Sequence, residues 1–386
     1  MAREKDTFTR EAHTKAKKLH VPDSGPATAK AEQQACSTGT LHQLVDPKGY
    51  GVIRRSLPRF VQRSDGLWEL TNGPPMPMET RVDTTGSMGG NVEVAIRVLP
   101  DAFELCSGVL PGWDLQMATG IFGDVQDVPS GQPDSVRGRF TLCRPQFEMT
   151  AEKIVEQLTL MVPLKQGGDN PEDPQYGLFG GAYLTSAYVS RIGLLGYDFT
   201  VSDAPGRNRL DRNFLRCIFG EEVFAMVAEN GHNINPSNLP TTTEVVTDLL
   251  RRAHAFFLQV GDSRETTRFW EPVFGPDRVV MLPTTELLPH VQAVIIGLTE
   301  GTLGLGDVKE FLQRANVCSS DATSITRAVA NIPIGAQAAF PNFAKRPKKG
   351  DLYKGKTDTW PIDPNEVVAE ISGDEQGTPG DGPIWS

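Results

Sequence analysis

The segment from Asp83 to Met88, DTTGSM, has the residue types and spacing of a divalent-cation site. It stands where a predicted strand passes into a predicted helix, and alternate residues of an extended turn point the same way. The carboxylate of Asp83 and the hydroxyls of Thr85 and Ser87 can therefore face one point. The alternative for this segment alone is an N-cap, in which a polar side chain satisfies free N–H groups of the helix that follows.

Acidic residues also follow two other predicted elements. Asp124 and Asp127 lie in IFGDVQD after a predicted strand, and Asp169 lies in GGDNPE before a predicted helix. In an open parallel sheet, ligands collect at the carboxyl ends of the strands. Few carboxylates together with neutral hydroxyls suit Mg²⁺ or Mn²⁺, which take oxygen ligands and keep several waters. We therefore expect Asp83, Thr85, Ser87, Asp124 and Asp169 to form one metal site.

Strand-like and helix-like segments alternate between residues 76 and 305, which predicts an α/β fold with a doubly wound, mostly parallel sheet flanked by helices. The first strand leads to Val82, and its residues Glu79–Val82 are polar for a central strand, so we expect another part of the chain to contact them. The other predicted strands are Leu115–Phe122, Arg139–Cys143, Ile192–Val201, Ala255–Val260 and Arg278–Leu282. The predicted helices are Met88–Gly108, Ala151–Val162, Tyr176–Ser190, Thr242–Arg252, Ser263–Phe274 and Leu288–Leu298.

Four segments flank this predicted domain. Residues 1–45 are polar and without a sustained period, which predicts a flexible arm or a loosely docked helix that adds little to the core. Residues 46–75 alternate apolar and polar side chains around an SDG turn and predict a β-hairpin extension. Residues 306–340 predict a helical extension, and the Pro-, Gly- and charge-rich residues 341–386 predict an extended or disordered tail.

Four short motifs, in this order along the chain, resemble those of a von Willebrand factor type A (vWA) domain. They are DTTGSM at a strand end, GD after the second strand, GGDNPE before a helix, and SDAP at a later strand end. The resemblance implies a metal-ion-dependent adhesion site (MIDAS) in which Asp83, Thr85, Ser87 and Asp169 hold a cation. It also implies that a protein partner places an acidic side chain at the open metal position.

The second loop departs from the integrin-like members of that family. Asp124 stands where they have Thr, which is similar to the intracellular bacterial branch that carries Tyr-Arg-Asp in that loop. The added carboxylate makes the site more negative. We expect it to strengthen the hold on the cation and to weaken the attraction for an acidic ligand.

Composition limits the classes of function. The chain has 386 residues, 39% of them hydrophobic, and a formal net charge of −10, which argues against general nucleic-acid binding because phosphate affinity needs clustered Lys and Arg. Five widely spaced cysteines without a CxxC pair predict reduced thiols. No secretory signal and no run of eighteen apolar residues is present in the sequence, so a soluble cytoplasmic protein without membrane contact is expected.

These observations favour a protein-interaction module over an enzyme, because the sequence has no Gly-x-Ser-x-Gly elbow, P-loop or Glu-x-x-His pair. We expect a metal-dependent adaptor or scaffold in an intracellular multi-protein assembly, related to stress or defence, with its oligomeric state open. One alternative is a nucleic-acid-associated assembly protein that uses its basic ends, residues 1–20 and Lys345–Lys356. The other is a metal-dependent phosphoesterase that uses Asp83, Asp124 and Asp169.

Overall fold

A computed structural model describes residues 27–167, 171–354 and 368–369. Its strands are β1 (Arg54–Ser56), β2 (Arg59–Gln62), β3 (Trp68–Leu70), β4 (Pro75–Asp83), β5 (Asp114–Phe122), β6 (Leu142–Cys143), β7 (Thr185–Ala187), β8 (Gly196–Ser202), β9 (Ala253–Val260), β10 (Val279–Leu282), β11 (Leu352–Tyr353) and β12 (Val368–Ala369). Its α-helices are α1 (Ala29–Thr38), α2 (Asn91–Val109), α3 (Ala151–Thr159), α4 (Gln175–Tyr183), α5 (Tyr188–Arg191), α6 (Arg212–Phe219), α7 (Val223–Glu229), α8 (Thr242–Leu249), α9 (Arg264–Phe274), α10 (Leu288–Glu300), α11 (Val308–Arg314) and α12 (Ser319–Ala328).

The central sheet has six strands in the order β10-β9-β8-β4-β5-β6. All neighbours in it are parallel except β5 and β6, which are antiparallel. The chain enters at β4, builds one half outward through β5 and β6, and then returns to add β8, β9 and β10 on the other side. This is the strand order of a doubly wound α/β fold, and the predicted fold class is confirmed. The order reverses at β4, so the loops after β4, β5 and β8 border one crevice.

Both faces of the sheet are buried, as a largely parallel sheet requires. On β9, Phe256 and Leu258 belong to the apolar core shared with α2 and α10, whereas Ala255 and Phe257 belong to the core shared with α4 and α8. Strand residues therefore alternate between two cores. None of the helices in the described ranges has the length and apolarity needed to cross a bilayer.

The polar residues of β4 are buried in an ionic network, as expected from the sequence. Arg81 makes a bidentate contact with Asp198 of β8, with nitrogen–oxygen distances of 2.6 and 2.7 Å, and Nε of Arg144 lies 2.9 Å from Oε1 of Glu79. Helix α4 covers these groups and is glycine-rich at the contact. A Cβ at Gly177 would come within 2.7 Å of Cδ of Arg81. Glycine lets the helix approach the buried guanidinium closely.

Of the two alternatives for residues 1–45, the described part has the docked helix, and it adds more to the core than expected. Helix α1 begins at Ala29, and the side chains of Ala31, Ala35, Leu41 and Val45 are buried in the core. Two alanines four residues apart make a narrow helix face, which is too weak a periodic signal to stand out beside polar neighbours. Residues 1–26 lie outside the described ranges.

The predicted helix Tyr176–Ser190 is instead α4, β7 and α5. The chain leaves the helix because β7 pairs in parallel with β1, with Thr185 opposite Arg54. The strand predicted to begin at Ile192 begins at Gly196, and helices α6 and α7 were not predicted from the sequence. Tertiary pairing overrides local propensity in this region.

The extended or disordered tail predicted over residues 341–386 contributes two short strands in its described part. The predicted hairpin is present as β2 and β3, and β11 pairs antiparallel with β3 while β12 pairs in parallel with β2. These strands form a second, four-stranded sheet in the order β11-β3-β2-β12. Residues 355–367 and 370–386 lie outside the described ranges.

Candidate metal centre

Asp83, the last residue of β4, is fully buried and held by three donors. Its Oδ1 accepts hydrogen bonds from the backbone N of Thr85 at 2.8 Å and from the Thr85 hydroxyl at 2.7 Å. Its Oδ2 accepts from the hydroxyl of Ser202, the last residue of β8, at 2.6 Å. Burial raises the pKa of Asp83 to about 6, against the opposing effect of these hydrogen bonds.

Ser87 extends this group toward solvent. It lies on a 3₁₀ turn, Gly86–Met88, and is exposed. Its hydroxyl oxygen is 3.2 Å from that of Thr85 and donates to Oδ1 of Asp203 at 2.8 Å. The structure thus brings Asp83, Thr85 and Ser87 together as predicted, and it adds Asp203 from the loop after β8.

Asp124, in the loop after β5, is 1% exposed. Among the described residues, no N–H or hydroxyl group donates a hydrogen bond to either of its carboxylate oxygens. Burial, together with the neighbouring carboxyls of Asp173 and Glu172, raises the pKa of Asp124 to about 9 against the opposing charge of Arg207. A carboxyl with this pKa carries a proton at neutral pH unless a cation is close.

Asp169 lies outside the described residues, so its predicted place in the site stays a prediction. The described residues before it run beside the DTTGSM turn: the carbonyl of Gln166 accepts from the backbone N of Gly86 at 2.6 Å. A Cβ at Gly167 would lie 3.5 Å from that of Thr85. The third loop therefore packs directly against the first.

Glu172 is the functional candidate that sequence reasoning missed. Their position just before a predicted helix favours Glu172 and Asp173 as first-turn acids of that helix, but α4 begins only at Gln175, and both carboxylates are buried. Oε2 of Glu172 accepts no hydrogen bond from the described residues. Burial and the charge of Asp83 raise the pKa of Glu172 to about 8. The signal available was its place in the same GGDNPE loop as Asp169.

Asp173 has a structural role in this centre. Its Oδ2 accepts from the backbone N of Val125 at 3.0 Å, and its Oδ1 accepts from Nε2 of Gln175 at 2.6 Å. These bonds tie the loop after β5 to the start of α4. Asp127 is buried and closes a turn with Asp124 through a backbone hydrogen bond of 3.2 Å.

The donor set fits a hard divalent cation. Three buried carboxylate oxygens, two on Asp124 and one on Glu172, accept no hydrogen bond from the described residues, and a buried polar atom without a partner is destabilising. In those same residues, no three Asp, Glu, His or Cys side chains form a ligand cage by themselves. The hydroxyls of Thr85 and Ser87, and water, would have to supply further oxygens, as Mg²⁺ and Mn²⁺ accept.

Comparisons with known proteins give similarity only at the level of structure. No family model and no curated protein matches the chain. The pilus adhesin SpaC from Lactobacillus rhamnosus GG is similar at a TM-score of 0.37 and 12% identity, over 62% of this chain and 34% of that one. A von Willebrand factor type A protein from Catenulispora acidiphila is similar at 0.32 and 11%, over 60% and 43%.

A third similar structure is proximal thread matrix protein 1 from the mussel byssus, at a TM-score of 0.32 and 10% identity, over 59% of this chain and 47% of that one. The chain thus spans about a third of the adhesin and under half of the other two proteins. TM-scores this low bear on neither family nor function. The fold class rests on the strand order and register given above.

Proposed function

We propose that this chain is a vWA-type module that binds a protein partner through a divalent cation, as an adaptor or scaffold in a larger assembly. The observation that supports this most is the pair of buried carboxylates, Asp124 and Glu172, at the carboxyl edge of the sheet beside the Asp83–Ser87 turn. Oxygens of these carboxyls that accept no hydrogen bond need a proton or a cation, and Arg207 lies 3.5 Å from one of them. A cation at this edge would stand where the loops of three strands meet.

The residues that would hold the ion are Asp83, Thr85, Ser87 and Asp124 of the original prediction, with Glu172 added. Asp169 remains a predicted ligand. Mg²⁺ or Mn²⁺ would supply a local positive charge and a coordination position open to an oxygen of the partner. The exposed hydroxyl of Ser87 marks the solvent side of the centre, so we place the partner there.

Binding is favoured over catalysis because the sequence has no Gly-x-Ser-x-Gly elbow, P-loop or Glu-x-x-His pair. The histidines in the described ranges, at positions 42, 232, 254 and 290, belong to other parts of the fold, and His254 is buried against Gln337. A metal-dependent phosphoesterase is the second candidate, favoured by one observation: Arg207 places a guanidinium 3.5 Å from Asp124. Hydrolysis of p-nitrophenyl phosphate that depends on Mn²⁺ and is lost in Asp124→Asn would establish it.

The nucleic-acid alternative has less support from the described basic segment. Arg346 packs over the rings of Trp113 and Phe343, at 5.0 and 4.2 Å from their centroids, so its guanidinium is engaged within the fold. A protein partner, a cytoplasmic location and a role in stress or defence remain our proposal.

The proposed site is tested by thermal unfolding with MgCl₂ or with chelator. A ligand that binds only the folded state raises the melting temperature by mass action. We expect wild type to gain stability with Mg²⁺ or Mn²⁺, and Asp124→Asn to lose that gain. Asp262→Asn is the matched control, since Asp262 is an exposed carboxylate in the loop after β9. A metal response equal in Asp124→Asn and wild type would remove the site.

The proposed role is tested by affinity capture from the native host, with wild type and Asp124→Asn as bait, each with and without chelator. Partners bound by wild type with metal, and lost in both the variant and the chelated sample, would identify the assembly. Partners retained in all samples would contradict metal-dependent binding.

A further inference from the structure

A cavity opens at the amino edge of the central sheet, between the first residues of β4, β8 and β9 and the end of α4. It occupies about 340 Å³, counting the solvent at its mouth. The candidate metal centre lies at the other edge, and the seven residues of β8 separate the two edges by roughly 20 Å. The cavity is therefore a separate place to search for a ligand. Its lining includes Pro77, Phe147, Thr185, Leu249, Arg252 and Ala253.

Arg252 supplies a guanidinium to this cavity and is half-buried. Its Nη1 donates to the carbonyl of Ala182 at 3.2 Å and contacts Nε2 of His232. Among the described residues, no Asp or Glu forms an ion pair with it, and its Nε and Nη2 make no hydrogen bond. Burial lowers the pKa of Arg252, and no neighbouring carboxylate offsets that effect. The fold thus partly buries a cation without supplying its counter-charge.

The two contacts of Nη1 fix the orientation of this guanidinium. Because arginine only donates hydrogen bonds, Nε2 of His232 accepts, which requires a neutral imidazole. Burial and the charge of Arg252 lower the pKa of His232, opposed by Asp248. The imidazole is itself packed edge-on against Tyr183, with ring centroids 5.3 Å apart. The Nε–Nη2 edge remains, and its two parallel N–H groups match the two oxygens of a carboxylate.

The ionic network beneath the cavity also favours an anion. Glu79 and Asp198 line the cavity, but their oxygens accept hydrogen bonds from Arg144 at 2.9 Å and from Arg81 at 2.6 and 2.7 Å. A third buried arginine, Arg54, donates to backbone carbonyls only. Three buried arginines against two buried carboxylates leave this network with one excess positive charge.

The neighbouring Arg251 is paired in the ordinary way. Its side chain is 72% exposed, and its Nη1 lies 2.6 Å from Oδ1 of Asp248. Helix α8 thus supplies a carboxylate to the exposed arginine and none to the half-buried one. An oriented charge without a partner, on the wall of a cavity, is typical of a binding site.

We infer that this cavity binds a small carboxylate, whose two oxygens pair with Nε and Nη2 of Arg252 and whose apolar part lies against Phe147 and Leu249. The inference goes beyond the proposed metal-dependent function and does not depend on it. The lining has no second arginine or lysine, which favours a monocarboxylate with a short hydrocarbon chain over a phosphate or a diacid. A free short-chain acid and the C-terminus of a peptide present this same group.

The test is ligand-observed saturation-transfer NMR on the full chain without divalent cations, with butyrate as the probe and butyramide as its uncharged counterpart. We expect butyrate to bind wild type and to bind Arg252→Gln about tenfold more weakly, because the charged bidentate contact is lost. Arg252→Lys keeps the charge without the two parallel donors and should lie between them. Arg251→Gln is the matched control and should equal wild type. Equal affinity of butyrate for Arg252→Gln and wild type, or equal affinity of butyrate and butyramide for wild type, would overturn the inference.

A peptide separates the two sources of the carboxylate. A tripeptide that ends in valine is compared with butyrate and with its own C-terminal amide. Tighter binding of the free-acid peptide than of butyrate, lost in the amide, would assign the site to a peptide C-terminus. Tighter binding of butyrate would assign it to a free acid. Binding of neither probe to wild type would overturn the inference.

Wild type alone provides a measurement that does not depend on the folding of a variant. Phenylglyoxal modifies accessible guanidinium groups, and peptide mass spectrometry follows the rate at each arginine. Butyrate should slow the modification of Arg252 several-fold and leave that of Arg251 unchanged. An unchanged rate at Arg252, or equal slowing at both arginines, would overturn the inference. Because no metal is present, these results are independent of the outcome at the candidate metal centre.

Discussion

Buried carboxylates occur in two regions of this protein, the middle of the central sheet and its carboxyl edge, and the two regions neutralise them differently. In the middle, burial raises the pKa of Glu79, but the guanidiniums of Arg144 and Arg81 outweigh it and bring the pKa to about 2. At the edge, burial raises the pKa of Asp124 to about 9 and that of Glu172 to about 8. Glu79 and Asp83 are only four residues apart on the same strand.

The difference shows that the fold provides arginine partners for the carboxylates in the middle of the sheet but not enough for those at its edge. The middle is a closed network whose arginines are part of the core, so its contribution is to stability and to the packing of α4. At the edge the fold provides hydroxyls, one half-open arginine and more acidic groups than it neutralises. A charge that the fold leaves unbalanced in a buried position is a candidate for function.

The largest effect is expected from breaking the closed network. Arg81→Met leaves Asp198 buried without its counter-charge, and removing one partner of a buried pair destabilises by roughly 3–5 kcal/mol. Urea unfolding at pH 7 measures the change. Asp124→Asn is the comparison from the edge: it removes a carboxylate without a strong partner and should leave metal-free stability unchanged or higher. Equal losses in the two variants would contradict the contrast.

A smaller loss of stability is expected from a side chain placed on α4 where its glycines contact the buried Arg81. Gly177→Ala places a methyl group within 2.7 Å of Arg81, and overpacking of this kind destabilises by about 1–3 kcal/mol. Gly90→Ala is a control in open space just before α2 and should be near neutral by the same urea measurement. An unchanged free energy of unfolding in Gly177→Ala would show that the ionic network can shift without cost, which would contradict this prediction.

The free energy of unfolding should depend on pH with opposite sign in the two regions, because the pKa of Glu79 is lowered whereas those of Asp124 and Glu172 are raised. Because the folded pKa values of Asp124 and Glu172 are raised, their protonated forms favour folding at low pH, and that contribution is lost as pH rises toward 8–9. The metal-free protein should therefore lose several degrees of melting temperature between pH 6 and 9. The gain from Mg²⁺ should grow over the same interval, since the ion replaces the protons. A metal response independent of pH would contradict this assignment.

The smallest effect on stability is expected at Asp83, the carboxylate of the sheet edge that already accepts three hydrogen bonds. Ser202→Ala removes the donor to Oδ2 of Asp83, and a lost hydrogen bond to a buried group costs about 1–3 kcal/mol, here at the low end because two donors from Thr85 remain. Thermal unfolding without metal measures it. Ser37→Ala, an exposed hydroxyl on α1, should show no change.

The sheet and the first loop of the site could be predicted because their signals are local. Apolar runs gave the strands, and the spacing of Asp83, Thr85 and Ser87 on one turn determines their meeting. The polar residues of β4 also predict that side chains from another part of the chain contact this strand. These partners are Arg144, which lies 65 residues from Glu79, and Asp198, which lies 117 residues from Arg81. Both are too far along the chain for a local pattern to identify.

What the sequence could not reveal depends on contacts between distant segments. Helix α1 is held by core residues far along the chain, and β7 exists because β1 pairs with it. Glu172 looked like a helix-start acid, since nothing local shows that its backbone is bonded to Pro205 and Arg207. That pairing turns the third loop toward Asp124 and makes Glu172 part of the centre.

The most direct test of the central claim is the binding of Mn²⁺ to the purified full chain, followed by electron paramagnetic resonance of the free ion. Wild type and Asp262→Asn should each take up Mn²⁺ at the sheet edge, competitively with Mg²⁺, and Asp124→Asn should take up none at the same concentration. Uptake by Asp124→Asn equal to that of wild type, or no uptake by wild type, would contradict the account.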